Sequence, residues 1–356
     1  MTPIDAGAFL TIDLKAIADN WRSLQSRLKP TECGAVLKAD AYGLGADKIA
    51  PVLHEAGCRT FFVAYAFEGA ALRPYIGDSK IYLLHGAWEG TEQLCADNAL
   101  IPVLGTLRQF EAWEAYAEKT GKTQTVGLHI DTGMTRFGLT RKNVADFCAK
   151  PPKNLKIDLI VSHLACADDP ENPKSAEQLA LFEKEASAVE KALGYPVKKS
   201  LSATDGCRLN DPAFRFDVAR PGIALYDNAV RLDARILQKA DAEAGQTVGY
   251  GATFAVDKPM RFATLGIGYA DGFARAQFNR GHVFICGEKR PVVGKVSMDL
   301  IVADVTGIPY EALRGAETAE IFGDHISLKE YAAAAGTIDY EALTSLGRRF
   351  HRVYKQ

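Results

Sequence analysis

The stretch AVLKADAYGLGA, residues 35–46, runs a short apolar strand into a lysine and then into a turn carrying two glycines, Gly43 and Gly45. A lysine at a strand end is ordinarily a solvated cation. A lysine at the mouth of a buried strand is also how an amine is prepared to attack a carbonyl, because an apolar neighbourhood disfavours the ammonium form. Which reading holds for Lys38 depends on what the fold brings beside it.

Outward from this strand the same pattern repeats. Apolar runs stand at 61–65, 81–84, 101–104, 126–130, 157–162, 197–202 and 222–226, the 197–202 run being broken by two lysines. Amphipathic stretches lie between them, and 178–193 sets Leu179, Phe182, Val189 and Leu193 close to a helical period. Strands alternating with helices predict an α/β fold, most economically an N-terminal (β/α)8 TIM-like barrel over 1–227. FLTID at 9–13, followed by a helix from Leu14 with Trp21, Leu24 and Leu28 apolar, is surplus to such a barrel and is expected to pair outside it. After about 227 the strand signals become short and frequent, with glycine turns, as in TVGYGATFAV, GHVFICG and KRPVVGKVSMDLIVADV. That texture predicts a C-terminal, mainly antiparallel β domain over 228–356, with a helical segment at 327–336.

Composition agrees with this plan. The chain has 356 residues, 47% apolar and 24% charged, which suits two globular domains able to bury a core without disulfides. Forty-two basic residues against 44 acidic leave a net charge of −2, so neither nucleic acid nor an anionic membrane is expected as a partner. The seven cysteines form no CxxC pair, which argues against a disulfide framework or a metal site and for small apolar fillers in a reducing compartment. MTPIDAGAFLTIDL lacks a basic region leading into a long apolar run, and no apolar stretch approaches the ~18 residues of a membrane span. A soluble, cytoplasmic protein is the expectation.

In such a barrel, function collects where the strands end. Those ends present Lys38, Tyr42, Arg136 in the DTGMTRFG turn, His163, Ser202 and Arg220, residues distant in sequence that the fold would converge. The commonest carbonyl partner of a reactive lysine, pyridoxal phosphate, also needs a phosphate cradle and a partner for its ring nitrogen. RPGIALY at 220–226 places an arginine before Pro-Gly, at a loop able to turn backbone N–H groups toward a phosphate. Ser202 offers a hydroxyl, and Tyr42 and Tyr340 offer phenols.

Taken together, AVLKADAYGLGA, HIDTGMTRFG (129–138), SHLACAD (162–168), RPGIALY, VGYGATF (248–254), GIGYADGFAR (266–275), GKVSMD (294–299) and TIDYEALTSLGRR (337–349) resemble the alanine racemases, fold-type III pyridoxal-phosphate enzymes. The resemblance runs the length of the chain. It implies racemisation of alanine, supplying D-alanine for peptidoglycan, by a homodimer in which each β domain completes the partner's site and the N-terminal strand joins the β domain. It implies that Lys38 holds the cofactor and serves as one acid/base, with Tyr250 of the partner as the other. Arg220 would face the pyridine nitrogen, and Tyr42, Ser202, Tyr340 and the backbone of Gly222 and Ile223 would hold the phosphate. Arg136 and the backbone at Met298 would receive the substrate carboxylate. His163 would line the cofactor and hydrogen-bond Tyr250, Tyr269 and Tyr340 would narrow the mouth, and Asp168 and Arg275 would lie in the corridor behind it.

The chemistry is consistent with these residue types. One base on each face of Cα suffices for racemisation, but lysine and tyrosine have reference pKa values near 10, so the site must lower both. Arginine donates and cannot accept, so Arg220 would leave the ring nitrogen unprotonated and suppress transamination. Two positions depart from the commonest family pattern. His129 stands where a carbamylated lysine usually orients the arginine, and Leu201 where an asparagine usually faces the ring. Near the C-terminus His351 replaces a common proline, which is given a structural reading only. The alternatives are a broader racemase acting on serine or other amino acids, since a small pocket separates such pairs poorly, a decarboxylase of the same fold type, and a non-catalytic pyridoxal-phosphate carrier, which would not need 228–356.

Overall fold

In the computed structural model, which describes residues 4–356, Ala35–Val36, Thr60–Val63, Lys80–Leu83, Leu100–Leu104, Gln124–His129, Leu155–Val161 and Lys198–Ser200 pair in that order as one parallel seven-stranded sheet. Thr60–Val63 is buried at every position, as expected for a strand between a filled barrel interior and an outer layer of helices. Among those helices, Leu107–Thr120 and Arg141–Ala149 start where Thr106 and Thr140 accept the N–H of Gln109 and Asn143. The amphipathic helix is Lys174–Leu193, which buries Phe182 and Val189 as its spacing suggests, and also Gln178.

The ring closes through Val218–Ala219, which runs parallel to Glu32–Cys33. Gly34 and Val36 donate to the carbonyls of Ala219 and Pro221, both at 2.9 Å, and Arg220 N–H donates to Ser202 O at 2.8 Å. The last barrel strand therefore lies upstream of the expected 222–226, where Ile223–Tyr226 forms a 3-10 turn instead. Pro221 has no N–H to give a ladder, so the strand stops before it.

The β unit is built on Val230–Ala242, a 13-residue strand with an irregular register between Ile236 and Gln238. Met260–Leu265, Ile301–Asp304, Glu288–Val293, His282–Ile285, Thr318–Phe322 and Val230–Ala242 pair in that order, and Met260–Leu265 pairs back on Val230–Ala242, closing an antiparallel barrel. Val248, Val256, Met260, Phe262 and Val293 form one of its apolar clusters. Ala8–Asp13 joins this sheet, antiparallel to Val230–Ala242 and parallel to His351–Lys355. His351 meets the Phe9 ring edge-on at 6.2 Å there.

By contacts the chain divides into a parallel-barrel unit, Ile17–Ala41 with Gly45–Leu225, and a β unit that takes the chain up to Ala16, Tyr42–Leu44 and Tyr226–Gln356. Among the described residues no helix is long and apolar enough to cross a membrane, and no group of His, Cys, Asp or Glu is placed to hold a metal ion. All seven cysteines are free thiols.

Candidate active site

The strand ahead of Lys38 ends at Val36, and Lys38 opens a short helical turn, Lys38–Gly43. This turn winds left-handed. Ala39, Asp40, Ala41 and Tyr42 have φ of 54°, 56°, 52° and 59°, with none of them glycine. Each such residue costs roughly 1–2 kcal/mol against the right-handed conformation, so the surroundings must hold the turn. Ala41 N–H donates to Leu37 O at 2.9 Å, and Gly45 N–H to Asp40 O at 3.0 Å. Asp40 Oδ1 accepts Ala46 N–H at 2.8 Å. Glu68 Oε1 accepts Ala39 N–H at 2.7 Å, while its Oε2 accepts Ala64 and Tyr65 N–H at 2.7 and 3.1 Å. One carboxylate thus caps the helix after the next strand and fixes the residue following Lys38.

Burial pushes the Lys38 amine below the ordinary lysine range; Arg136 and Arg220 push the same way and Glu68 opposes them. Arg220 is buried, and burial pulls it down to about 10, which leaves it a cation at neutral pH. Its guanidinium donates to Ser162 O at 2.6 Å, to Leu201 O at 3.4 Å and to Ser200 Oγ. Burial, Arg220 and Arg136 drive His163 down to about 3. Burial and Arg220 do the same to His129, also to about 3. Both imidazoles are therefore neutral in use.

Arg136 is exposed on a turn shaped by Asp131, whose Oδ1 accepts the N–H groups of Gly133, Met134 and Thr135 at 2.9, 3.0 and 3.1 Å. Gln178, absent from the sequence reading, ties this turn to the His163 loop. Its Nε2 donates to Thr132 Oγ1 at 3.1 Å and His163 O at 2.9 Å, and its Oε1 accepts Ala165 N–H at 2.8 Å. His129 stands edge-on to Phe137 at 5.3 Å, and among the described residues its buried Nδ1 has no hydrogen-bond partner. His85 was also missed, although it follows the strand Lys80–Leu83 and so obeys the strand-end rule. It lies between the rings of Tyr65 and Phe137, at 5.1 and 6.3 Å. Burial, then Lys38 and Arg136, lower its pKa.

The hydroxyl at the Gly222 loop is not that of Ser202. Ser202 Oγ is buried and donates to Phe214 O at 2.7 Å. Thr204 Oγ1 instead accepts Gly222 N–H at 3.0 Å and Ala224 N–H at 3.4 Å, which leaves its own O–H to be donated. The residue preceding this hydroxyl is Ala203, and Leu201 is buried in the core. A neutralisable amine, a buried arginine, an exposed arginine and a hydroxyl seated on backbone N–H groups fit a ligand with a phosphate, a reactive carbonyl and a ring nitrogen.

In the β unit, Tyr42 lies with its ring 5.9 Å from Tyr340 and 5.4 Å from Tyr226, and burial, then Tyr340, push its phenol up. Tyr250 is exposed on the turn Tyr250–Ala252, between Gly249 and Gly251 at φ of 74° and 72°. Tyr269 and Met298 are exposed on adjacent loops, where Ala270 N–H donates to Met298 O at 3.0 Å. Arg275 is exposed in this unit, and Asp168 is exposed in the loop after His163 of the barrel unit.

Residues 12–229 match the family model described as alanine racemase, N-terminal domain, and residues 229–354 match alanine racemase, C-terminal domain. The alanine racemase of Brucella canis is 40% identical over 377 residues, spanning 98% of this chain and 94% of that protein. That of Rhizobium meliloti is 41% identical over 376 residues, spanning 99% and 97%. A crystal structure of alanine racemase from Bartonella henselae with covalently bound pyridoxal phosphate superposes with a TM-score of 0.92 at 38% identity, covering 98% of this chain and 99% of that one.

Proposed function

The chain belongs to the alanine racemase family, and from that premise we propose how its residues divide the interconversion of L- and D-alanine. The enzyme is a pyridoxal-phosphate-dependent isomerase. When bound, the cofactor supplies the electron sink that makes the Cα proton of the amino acid removable. Lys38 moves that proton on one face of Cα, and the partner subunit's Tyr250 moves it on the other. The observation that carries this reading is the state of Lys38, whose amine is held toward its neutral, basic form by burial, Arg136 and Arg220.

Arg220 faces the ring nitrogen as a donor without acceptor capacity, which favours racemisation over transamination. Thr204 donates its hydroxyl to the phosphate, with the backbone of Gly222 and Ile223, and Tyr42 and Tyr340 are the phenolic donors assigned to it. Arg136 receives the substrate carboxylate together with the backbone at Met298. His163, neutral at working pH, orients the partner subunit's Tyr250. Tyr269 narrows the mouth, and Asp168 and Arg275 line the corridor.

A homodimer is supported by what each unit leaves uncovered. Phe67 and Trp88 are exposed in the barrel unit, and Tyr250 and Met298 in the β unit. The free thiols support a reducing cytoplasm, where the product D-alanine would feed peptidoglycan. The test is one time course in deuterated water, following optical rotation and Cα deuterium with L-alanine, L-serine and L-arginine side by side. Loss of rotation with deuterium at Cα, fastest for alanine, is expected. Comparable rates on serine or arginine would replace this with a broader racemase and implicate His129. Bound cofactor without exchange would leave a carrier and end the assignment.

A further inference from the structure

Three loops of the β unit each carry one of the residues assigned to the substrate mouth. Tyr269 lies on the loop around Gly268–Gly272, Met298 on Ser297–Asp299, and Tyr340 on the helix Asp339–Thr344 that runs into Ser345–Arg349. The loops touch backbone to backbone. Tyr269 N–H donates to Ser297 O at 3.0 Å, and Gly347 N–H to Asp271 O at 2.9 Å. A Cβ at Gly268 would stand 2.3 Å from Met298 O, and one at Gly272, where φ is 96°, 2.3 Å from Ser345 O. No side chain fits at either junction, so a shift of one loop is carried to the others.

Arg349 stands where they meet. Its Nε and Nη2 fork onto Asp271 Oδ1 and Oδ2 at 2.7 and 3.0 Å, and its Nη1 reaches Asp299 Oδ1 at 2.8 Å. Asp271 is buried, and its Oδ2 also accepts Gly268 N–H at 3.0 Å. Without the guanidinium that carboxylate would keep a single backbone partner, a costly state for a buried charge.

We propose that Arg349 is a positioning residue that joins the Tyr269, Met298 and Tyr340 loops through Asp271 and Asp299 and so sets the width of the substrate mouth. This rests on the reading that Tyr269 and Tyr340 wall the substrate and that the backbone at Met298 receives its carboxylate. The planar fork is what the task requires, because lysine, a point donor on a flexible stem, cannot hold two carboxylates in fixed orientation.

The experiment compares kcat and KM for alanine and serine in holoenzyme carrying Arg349→Lys, Arg349→Ala or Asp299→Asn, with Tyr269→Ala as reference. Bound cofactor is followed by its visible absorbance. Arg349→Lys is expected to raise KM for alanine roughly 10-fold, the equivalent of one charge-assisted hydrogen bond. The serine-to-alanine ratio of kcat/KM should rise, with kcat and cofactor content little changed. Asp299→Asn leaves Asp271 paired, so it remains readable if the Arg349 variants do not fold, and it should show the same signature at smaller size. Unchanged KM and substrate ratio in folded, loaded Arg349→Lys or Asp299→Asn would overturn the proposal, as would a kcat that falls only with the yield of loaded enzyme. If Tyr269→Ala moves KM and the ratio while the clamp variants do not, the positioning role fails and the wall reading survives. If Tyr269→Ala moves neither, the wall reading falls and takes the proposal with it.

Discussion

The two units prepare their functional side chains in opposite ways. In the barrel unit, burial moves Lys38, His163 and Arg220 from their ordinary pKa values, and Arg136 and Arg220 add to the lowering of Lys38 and His163. In the β unit, Tyr250, Met298 and Tyr269 stand 72%, 53% and 43% exposed on loops whose backbones are tightly seated. The barrel has its electrostatics set within one chain. The β unit has its geometry set by backbone contacts and leaves these side chains exposed. In the proposed division of roles the barrel unit supplies the chemical bias and the β unit the final shape, so lesions in the two units should read out differently.

The largest effect should come from the barrel. Lys38→Ala should lower kcat on the order of 1,000-fold or more in both directions of racemisation, measured by circular dichroism. Activity retained within tenfold would mean that the perturbed amine is not the base. Next is the choice between two hydroxyls. Thr204→Val should weaken cofactor binding roughly 10- to 100-fold in a titration of the apoenzyme. Ser202→Ala removes only the bond to Phe214 O, so it should lower the melting temperature slightly and leave cofactor affinity within about twofold. The reverse order would return the phosphate to Ser202.

The smallest effect tests how the barrel sets its charge. Glu68 is the carboxylate that raises the Lys38 pKa against Arg136 and Arg220, with His85 and His163 also facing the amine. Glu68→Gln removes that support for the ammonium form. The acid limb of the kcat profile should move to lower pH, by up to about one unit. An unmoved limb, or one displaced upward, would leave Glu68 with its backbone hydrogen bonds alone.

Much of this was legible in the sequence because a barrel puts its chemistry at strand ends. Lys38, Arg136, His163 and Arg220 follow from that rule, and their convergence in one unit needs no further signal. Position within a loop was not legible. SLSAT, residues 200–204, offers hydroxyls at alternate positions, and nothing local says that Ser202 turns inward to Phe214 O while Thr204 meets Gly222. GIALY, 222–226, is apolar enough for a strand, and only Pro221 marks why the ladder stops short. Glu68 and Gln178 act through backbone groups brought close by the fold, which no spacing encodes. Tyr269, Met298 and Tyr340 were assigned by resemblance, but the arginine that joins their loops was not, because its partners Asp271 and Asp299 come from two other segments.

The left-handed turn after Lys38 has a consequence for the order in which the molecule is assembled. In a free chain Ala39, Asp40, Ala41 and Tyr42 would settle in the right-handed basin, at an advantage of roughly 1–2 kcal/mol per residue. They give it up to bonds that are partly local, Ala41 N–H to Leu37 O and Gly45 N–H to Asp40 O, and partly distant, Ala39 N–H to Glu68 from beyond the next strand. The distant bond can form only once the neighbouring strand and the helix after it stand beside the turn.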